Sequence, residues 1–353
     1  MSLVDLRSDT VTRPTPSMRR AMAEAEVGDD VYREDPTVNR LQARAAEIFD
    51  REAGLFVPSG SMGNHAAIKV HTHHGQEVIC EERSHIYNYE MATMAAVSGC
   101  LARTVRGEDG ILGWDDIAPA LRAMTAERAG TGLISLENTC NIAGGAVTPV
   151  ELAERVCDEA HARGVPVHLD GARIFNAATA LGCTVGDLTR KFDSVMFCLS
   201  KGLGAPVGSV LVGSKEFIES ARRVRKMLGG GMRQVGILAA AGLIALEESP
   251  ARLPEDHENA QVLARGLAEI PGIRLDPAKV RTNIVIFDVQ ETGIESFEIA
   301  RRLKEKDILA NGISPATMRM VTHRDVDRAG CQRALQVMEG ILAGERTRTA
   351  VAQ

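Results

Sequence analysis

An apolar run, Ser194-Val195-Met196-Phe197-Cys198-Leu199, ends in Ser200-Lys201 and breaks at once into Gly202 and Gly204. A short apolar run bounded by turn residues reads as a buried strand. A lysine set directly against such a strand is costly, because desolvating an ammonium is unfavourable. Burial and cationic neighbours also depress a lysine's pKa, leaving an amine able to form a Schiff base. A second apolar strand, Val165-Pro166-Val167-His168-Leu169, ends in Asp170-Gly171-Ala172-Arg173. Each feature alone reads as an ion-pairing residue at the surface; the two together point to a shared site.

A lysine, a carboxylate and an arginine at successive strand ends suit pyridoxal phosphate. That cofactor is an electron sink only while its ring nitrogen stays protonated, which asks for a carboxylate beside it. Its phosphate asks for backbone N–H donors, supplied by a helix N-terminus approached by glycine. Pro58-Ser59-Gly60-Ser61-Met62-Gly63-Asn64 follows the apolar Leu55-Phe56-Val57 and opens a helix-like stretch, so Gly60 and Ser61 are the candidate cradle. His85, after the strand-like Glu77-Val78-Ile79-Cys80, is the candidate to stack on the ring.

From about residue 50 to 215, short β-branched runs alternate with longer amphipathic stretches. That alternation predicts an α/β fold with a mostly parallel central sheet and helices on both faces. In such sheets ligands bind beyond the carboxyl ends of the strands, which would gather Gly60, His85, Asn138, Asp170 and Lys201 on one edge. Val150 to Arg163 predicts a helix with Leu152, Ala153, Val156, Cys157 and Ala160 on one stripe, stopped by Gly164. The polar, proline-containing stretch from Glu247 to Glu255 marks a boundary. Residues 1–250, including the N-terminal segment, are expected to form the large domain, and 251–345 a smaller α+β domain. Its expected elements are helices near 256–270, 295–306 and 326–343 and strands near 273–275, 283–288 and 318–321. Residues 346–353 are expected to be a frayed tail.

The chain has 353 residues, enough for a substantial core, and a net charge of −6, which argues against a nucleic-acid partner. No apolar run approaches the roughly 20 residues of a membrane span. The start, Met1 to Arg7, lacks a basic, apolar leader, so a cytoplasmic location is expected. Seven cysteines without C-x-x-C pairing resemble neither a disulfide frame nor a zinc site. His71-Thr72-His73-His74 lacks partners at ligand spacing and reads as a solvated helix end; no metal is expected.

With these residues placed, the chain resembles a low-specificity L-threonine aldolase of the fold-type-I pyridoxal-phosphate superfamily. The resemblance runs from Asp5 to about Ala343. It is carried by Asp5 to Thr12, Gly28-Asp29-Asp30-Val31-Tyr32, Glu34-Asp35-Pro36-Thr37, His168 to Arg173, Phe197 to Gly202 and Met227 to Gln234. It implies Lys201 as the Schiff-base lysine, Asp170 as partner of the pyridine nitrogen and His85 as the stacking ring. It implies Gly60 and Ser61 as the phosphate cradle, with Arg233 reaching the phosphate of a neighbouring subunit. Ser8, Arg173 and Arg319 match the positions that hold the substrate carboxylate. The family is typically a homotetramer built from dimers with shared active sites. The implied reaction is reversible retro-aldol cleavage of L-threonine, L-allo-threonine and related β-hydroxy-α-amino acids to glycine and an aldehyde.

The family often has histidine where Cys140 stands and arginine where Ile142 stands, and some relatives place a second histidine in the segment matching Ala126 to Thr131. None occurs there in this chain. His85 is then the leading candidate for the base, directly or through a water. The competing assignment keeps His85 as a stacking plate, with water or the cofactor phosphate as base. Tyr87 and Tyr89 are candidates to line the aldehyde pocket, or are ordinary packing residues. His168, two positions before Asp170 on the same strand face, is read as a core histidine or as support for Asp170. Rival readings are another pyridoxal-phosphate reaction, such as β-elimination or transamination, and a nucleotide site at Gly202-x-Gly204. The latter fails because Val207 stands where a third glycine is needed.

Overall fold

The computed structural model describes residues 3–351, with side chains described for 3–344. Its contacts divide the chain into two units, residues 13–250 and residues 1–12 with 251–353.

The larger unit is built on a seven-stranded sheet. Its strands are β1 (Ala53–Val57), β2 (Glu77–Glu81), β3 (Leu101–Val105), β4 (Thr131–Glu137), β5 (Val167–Asp170), β6 (Ser194–Cys198) and β7 (Ser209–Gly213). They lie in the order β1-β7-β6-β5-β4-β2-β3. Neighbours pair in parallel except β7, which runs antiparallel to both β1 and β6. Helical crossovers between parallel strands cover the sheet, so the inner strands are buried along their length and read as continuous apolar runs. The edge strand β3 has only exposed and half-buried residues instead.

Local chemistry explains the crossovers. The helix Val150–His161 buries Ala153, Val156, Cys157 and Ala160, one apolar stripe, and Gly164 turns the chain at a φ of +70°. Leu152, expected on that stripe, sits at its margin and is half-buried. Beneath the sheet Phe49 stacks on Phe197 at 4.7 Å and meets Phe175 edge-on at 5.8 Å.

The second unit has a three-stranded antiparallel sheet, Asn311–Ser314, Thr317–Val321 and Ile284–Asp288 in that order, with helices Leu253–Ala268, Ser296–Lys304 and Arg328–Val351. The strand expected at 273–275 is reduced to a single bridge between Arg274 and Asp288. The last helix runs past the expected stop, and the side chains of the expected tail, 346–353, lie outside the described residues.

The N-terminal segment, expected on the large domain, belongs to this second unit. Val4–Asp5 pairs in parallel with Ile308–Leu309. Leu6 is fully buried in the unit's core, beside Leu263, Phe287 and Met318 among others. Its N–H donates to Leu309 and its carbonyl accepts from Val321, both at 2.8 Å. A six-residue segment with two buried apolar side chains carries too little periodicity to reveal where it docks. Leu6→Ala is expected to cost about 2–5 kcal/mol, the range for deleting a buried leucine. The check is urea unfolding, where the midpoint should fall with an unchanged slope.

Candidate active site

The shared direction of β1, β2, β4, β5 and β6 brings their carboxyl ends to one edge. There a cavity of about 300 Å³ is lined by Ser59, Gly60, Ser61, Asn64, His85, Glu90, Asp170, Cys198 and Lys201, among others. Residues spread from 58 to 208 thus meet in one place.

Ser59 is the N-cap of the helix Gly60–His71, with φ of −147°, and its hydroxyl accepts the Met62 N–H at 3.2 Å. The Gly63 N–H goes to the Ser59 carbonyl. The first N–H groups, at Gly60 and Ser61, have no acceptor within the helix and stand at its positive end. Gly60 is required by packing, because a Cβ there would lie 2.9 Å from Cys198 Sγ.

Asp170 is buried at the end of β5. One carboxylate oxygen accepts the Ala172 N–H at 3.1 Å, the other an Asn64 amide N–H at 2.8 Å. The same Asn64 nitrogen donates to Glu90 at 2.9 Å. Glu90 is the centre of the cluster. One oxygen accepts from His85 Nδ1 at 2.8 Å, and the other lies 2.8 Å from His65 Nε2. Burial would raise its pKa, but hydrogen bonds from His65, His85 and Asn64 overcome this and pull it down to about 2.

His85 is held from two sides. Its ring donates to Glu90, and its backbone N–H donates to Glu137 at 2.7 Å. The second oxygen of Glu137 accepts the Asn141 N–H at 2.8 Å, joining the His85 segment to the loop after β4. Burial pulls the His85 pKa down, yet the Glu90 hydrogen bond and the charges of Asp170 and Glu90 win and set it above its ordinary value. With Glu90 an anion that can only accept, Nδ1 must carry the proton, and Nε2 is the lone-pair nitrogen of the neutral ring. The Tyr89 ring lies 5.5 Å from the His85 ring and is exposed at 53%.

Gly60, Ser61, His85, Asp170 and Lys201 therefore share the cavity. Arg173 does not line it; it is buried at the start of the helix Ile174–Leu181, its guanidinium 3.5 Å from the Asn141 amide oxygen. Arg233 is exposed and pairs with Asp29 at 2.9 Å. Ser8 and Arg319 lie in the other unit. Ser8 caps the short turn Asp9–Val11, and Arg319 lies on the strand Thr317–Val321, its guanidinium 3.5 Å from the Arg7 carbonyl.

Sequence reading missed Ser59, Asn64 and Glu90. Glu90 lies five residues past His85, beyond the end of the single-turn helix His85–Asn88, where no helical spacing links the two. Asn64 is one turn past Gly60, a spacing that places it on the cradle's face.

A family model described as "Beta-eliminating lyase" matches residues 5–291. The chain belongs to the beta-eliminating lyase family. It is 46% identical over 331 residues to low-specificity L-threonine aldolase 1 of Arabidopsis thaliana, covering 92% of each chain. It is 43% identical over 327 residues to the low specificity L-threonine aldolase of Escherichia coli strain K12, covering 92% of this chain and 95% of that one. The fold is shared with the threonine aldolase of Leishmania major, at a TM-score of 0.83 and 21% identity, covering 96% of this chain and 99% of that one. It is shared also with an SPT structure solved with PLP, at 0.74 and 17%, covering 96% and 87%.

Glu90→Gln tests the cluster. Glu90, lowered from 4.5 to about 2, stabilises the fold above pH 4.5, and this is lost as pH falls through 2. His85, raised above 6.5, contributes fully below pH 6.5 and less as pH rises through its higher value. The wild-type advantage in urea unfolding is thus expected to peak between pH 4.5 and 6.5, at about 3 kcal/mol. An advantage independent of pH would mean that packing, not charge, is what Glu90 supplies.

Proposed function

We propose that this chain is a pyridoxal-phosphate-dependent aldolase that splits L-threonine, L-allo-threonine and other β-hydroxy-α-amino acids into glycine and an aldehyde. One observation carries the reading: an amine, a pinned carboxylate, a carboxylate-held imidazole and an unpaired helix N-terminus converge on one cavity. The aldolases among its relatives support the choice of substrate.

The residues present fit the cofactor. Lys201 supplies the amine that holds its aldehyde, Asp170 the anion for its ring nitrogen, His85 a flat face, and Gly60 and Ser61 the donors for its phosphate. When bound, the cofactor supplies an electron sink for the pair released as the Cα–Cβ bond breaks.

The protein's own work is to orient and to move a proton. The resemblance would give the substrate carboxylate to Ser8, Arg173 and Arg319, for which the planar arginine fork is suited. Fixing that group would orient the bonds at Cα, and so would select carbon–carbon cleavage over loss of carbon dioxide. His85 accepts the β-hydroxyl proton at Nε2. Glu90 supports this assignment, because an anion on Nδ1 raises the basicity of Nε2 as well as fixing the ring's plane. Arg233 serves a neighbouring copy's phosphate in a homotetramer of paired dimers, in keeping with its exposed position. Seven cysteines without a disulfide among the described residues suit the reducing cytoplasm. No helix among the described residues is long and apolar enough to cross a membrane.

Purified protein given threonine is expected to release glycine and acetaldehyde, and Lys201→Ala to release neither. Ammonia and a keto acid instead would show β-elimination. His85→Phe keeps a flat ring without a base, and is expected to lower kcat by about 10²–10⁴-fold with the cofactor still bound. Near-wild-type turnover in that variant would place the base elsewhere.

A further inference from the structure

Behind the cavity, the side chains of His71, Ser194, His168 and Asn64 form a continuous hydrogen-bonded line. His71 Nε2 is 2.8 Å from Ser194 Oγ, which is 2.8 Å from His168 Nδ1. His168 Nε2 is 3.1 Å from the Asn64 amide oxygen. The Asn64 nitrogen then reaches Asp170 and Glu90.

Donor and acceptor chemistry allows one direction only. Both carboxylates accept, so the Asn64 –NH₂ faces them and its oxygen must face His168. That oxygen only accepts, so His168 carries its proton on Nε2 and offers a lone pair at Nδ1. Ser194 therefore donates to His168, and its oxygen is left to accept from His71 Nε2–H. Burial favours uncharged rings here, pushing His168 down to about 3 and His71 down to about 4. His168 and Ser194 are fully buried, and the His71 ring is fixed by stacking on Phe217 at 4.7 Å.

We propose that His168, with Ser194 and His71 behind it, is a positioning device that holds the Asn64 amide in one orientation and so aims the Asp170 carboxylate at the cofactor ring nitrogen. A flipped Asn64 would set its oxygen against two carboxylates and its –NH₂ against the His168 N–H, three repulsive contacts at once. Deleting the His168 donor removes part of that discrimination and leaves Asp170 fixed by the Ala172 N–H with a less firmly oriented Asn64. The inference rests on the reading of Asp170 as the cofactor's partner.

Two measurements test it. In cofactor-free protein, ¹⁵N NMR of labelled histidines should show His168 as the neutral Nε2–H tautomer from pH 5 to 9. An Nδ1–H tautomer or a charged ring would overturn the proposal without reference to any cofactor. In the second, pyridoxal phosphate is titrated into wild type, His168→Leu, His168→Gln and Ser194→Ala. His168→Leu should bind about tenfold more weakly, the scale felt when the outer partner of a site residue is lost. His168→Gln, which can still donate to Asn64, should recover most of that loss. Ser194→Ala should leave the cavity intact but give a mixture of His168 tautomers, which keeps the test open where His168→Leu does not fold. Equal affinity in His168→Leu and wild type sinks the relay. A wild type that binds no cofactor sinks the functional reading instead.

Discussion

Two buried carboxylates, Asp170 and Glu90, are held against one amide nitrogen, and the rest of the site is arranged around the cost of that pairing. Ligand atoms of His85, Glu90 and Asp170 lie within 4.8 Å of one another. Like charges at that separation repel, and burial strips them of water. The fold answers with directed donors, Asn64 to both, the Ala172 N–H to Asp170 and His85 to Glu90, and sets the His65 ring beside the other Glu90 oxygen. Removing one donor leaves a buried acceptor unpaired, which costs more than a typical hydrogen bond contributes. The cavity's polar groups are therefore oriented before any substrate arrives, as a site that selects one bond by geometry requires.

One helix serves this arrangement three times. Gly60–His71 presents its N-terminal donors to the cavity, Asn64 and His65 to the carboxylates, and His71 to Ser194. Gly60, Asn64 and His71 are separated by four and seven residues, so they share a face. That face looks into the sheet, where a core helix would ordinarily carry leucine and valine. Polar residues there are tolerated because each is paired, and the pairing fixes the helix's register against β5 and β6.

The legible parts of this molecule were those with short-range signatures. The buried strands β5 and β6 announce themselves by apolar runs, and Asp170 and Lys201 by standing where those runs stop. Parallel pairing then predicts that their ends meet, which puts Gly60, His85, Asp170 and Lys201 on one edge, whereas Asn138, expected with them, does not line the cavity. Glu90 was hidden because its tie to His85 depends on an irregular chain reversal after a four-residue helix. The docking of residues 4–6 was hidden because its cause, a parallel pairing with Ile308–Leu309, lies three hundred positions away. The His168 alternatives left open by the strand pattern turn out not to exclude one another: it is a fully buried histidine that supports Asp170 through Asn64.

Position 140 shows how charge placement narrows the proposed chemistry. Where the family often has histidine, Cys140 is buried, and its thiol is pushed up to about 12 by burial and by the nearby Glu137 carboxylate. A thiol that keeps its proton at any working pH cannot take one from a substrate. Cys140 instead fills space, so closely that a Cβ on Gly110 would come within 2.6 Å of its sulfur. Glu90 is held as an anion by its own donors, and its lone pairs are turned toward His65, His85 and Asn64. His85 is the imidazole lining the cavity, its Nδ1 is tied to Glu90, and the Glu90 hydrogen bond and the charges of Asp170 and Glu90 raise its pKa above the ordinary value. On the proposed reading, the missing histidine leaves proton transfer to a single imidazole, whose basicity depends on the carboxylate behind it.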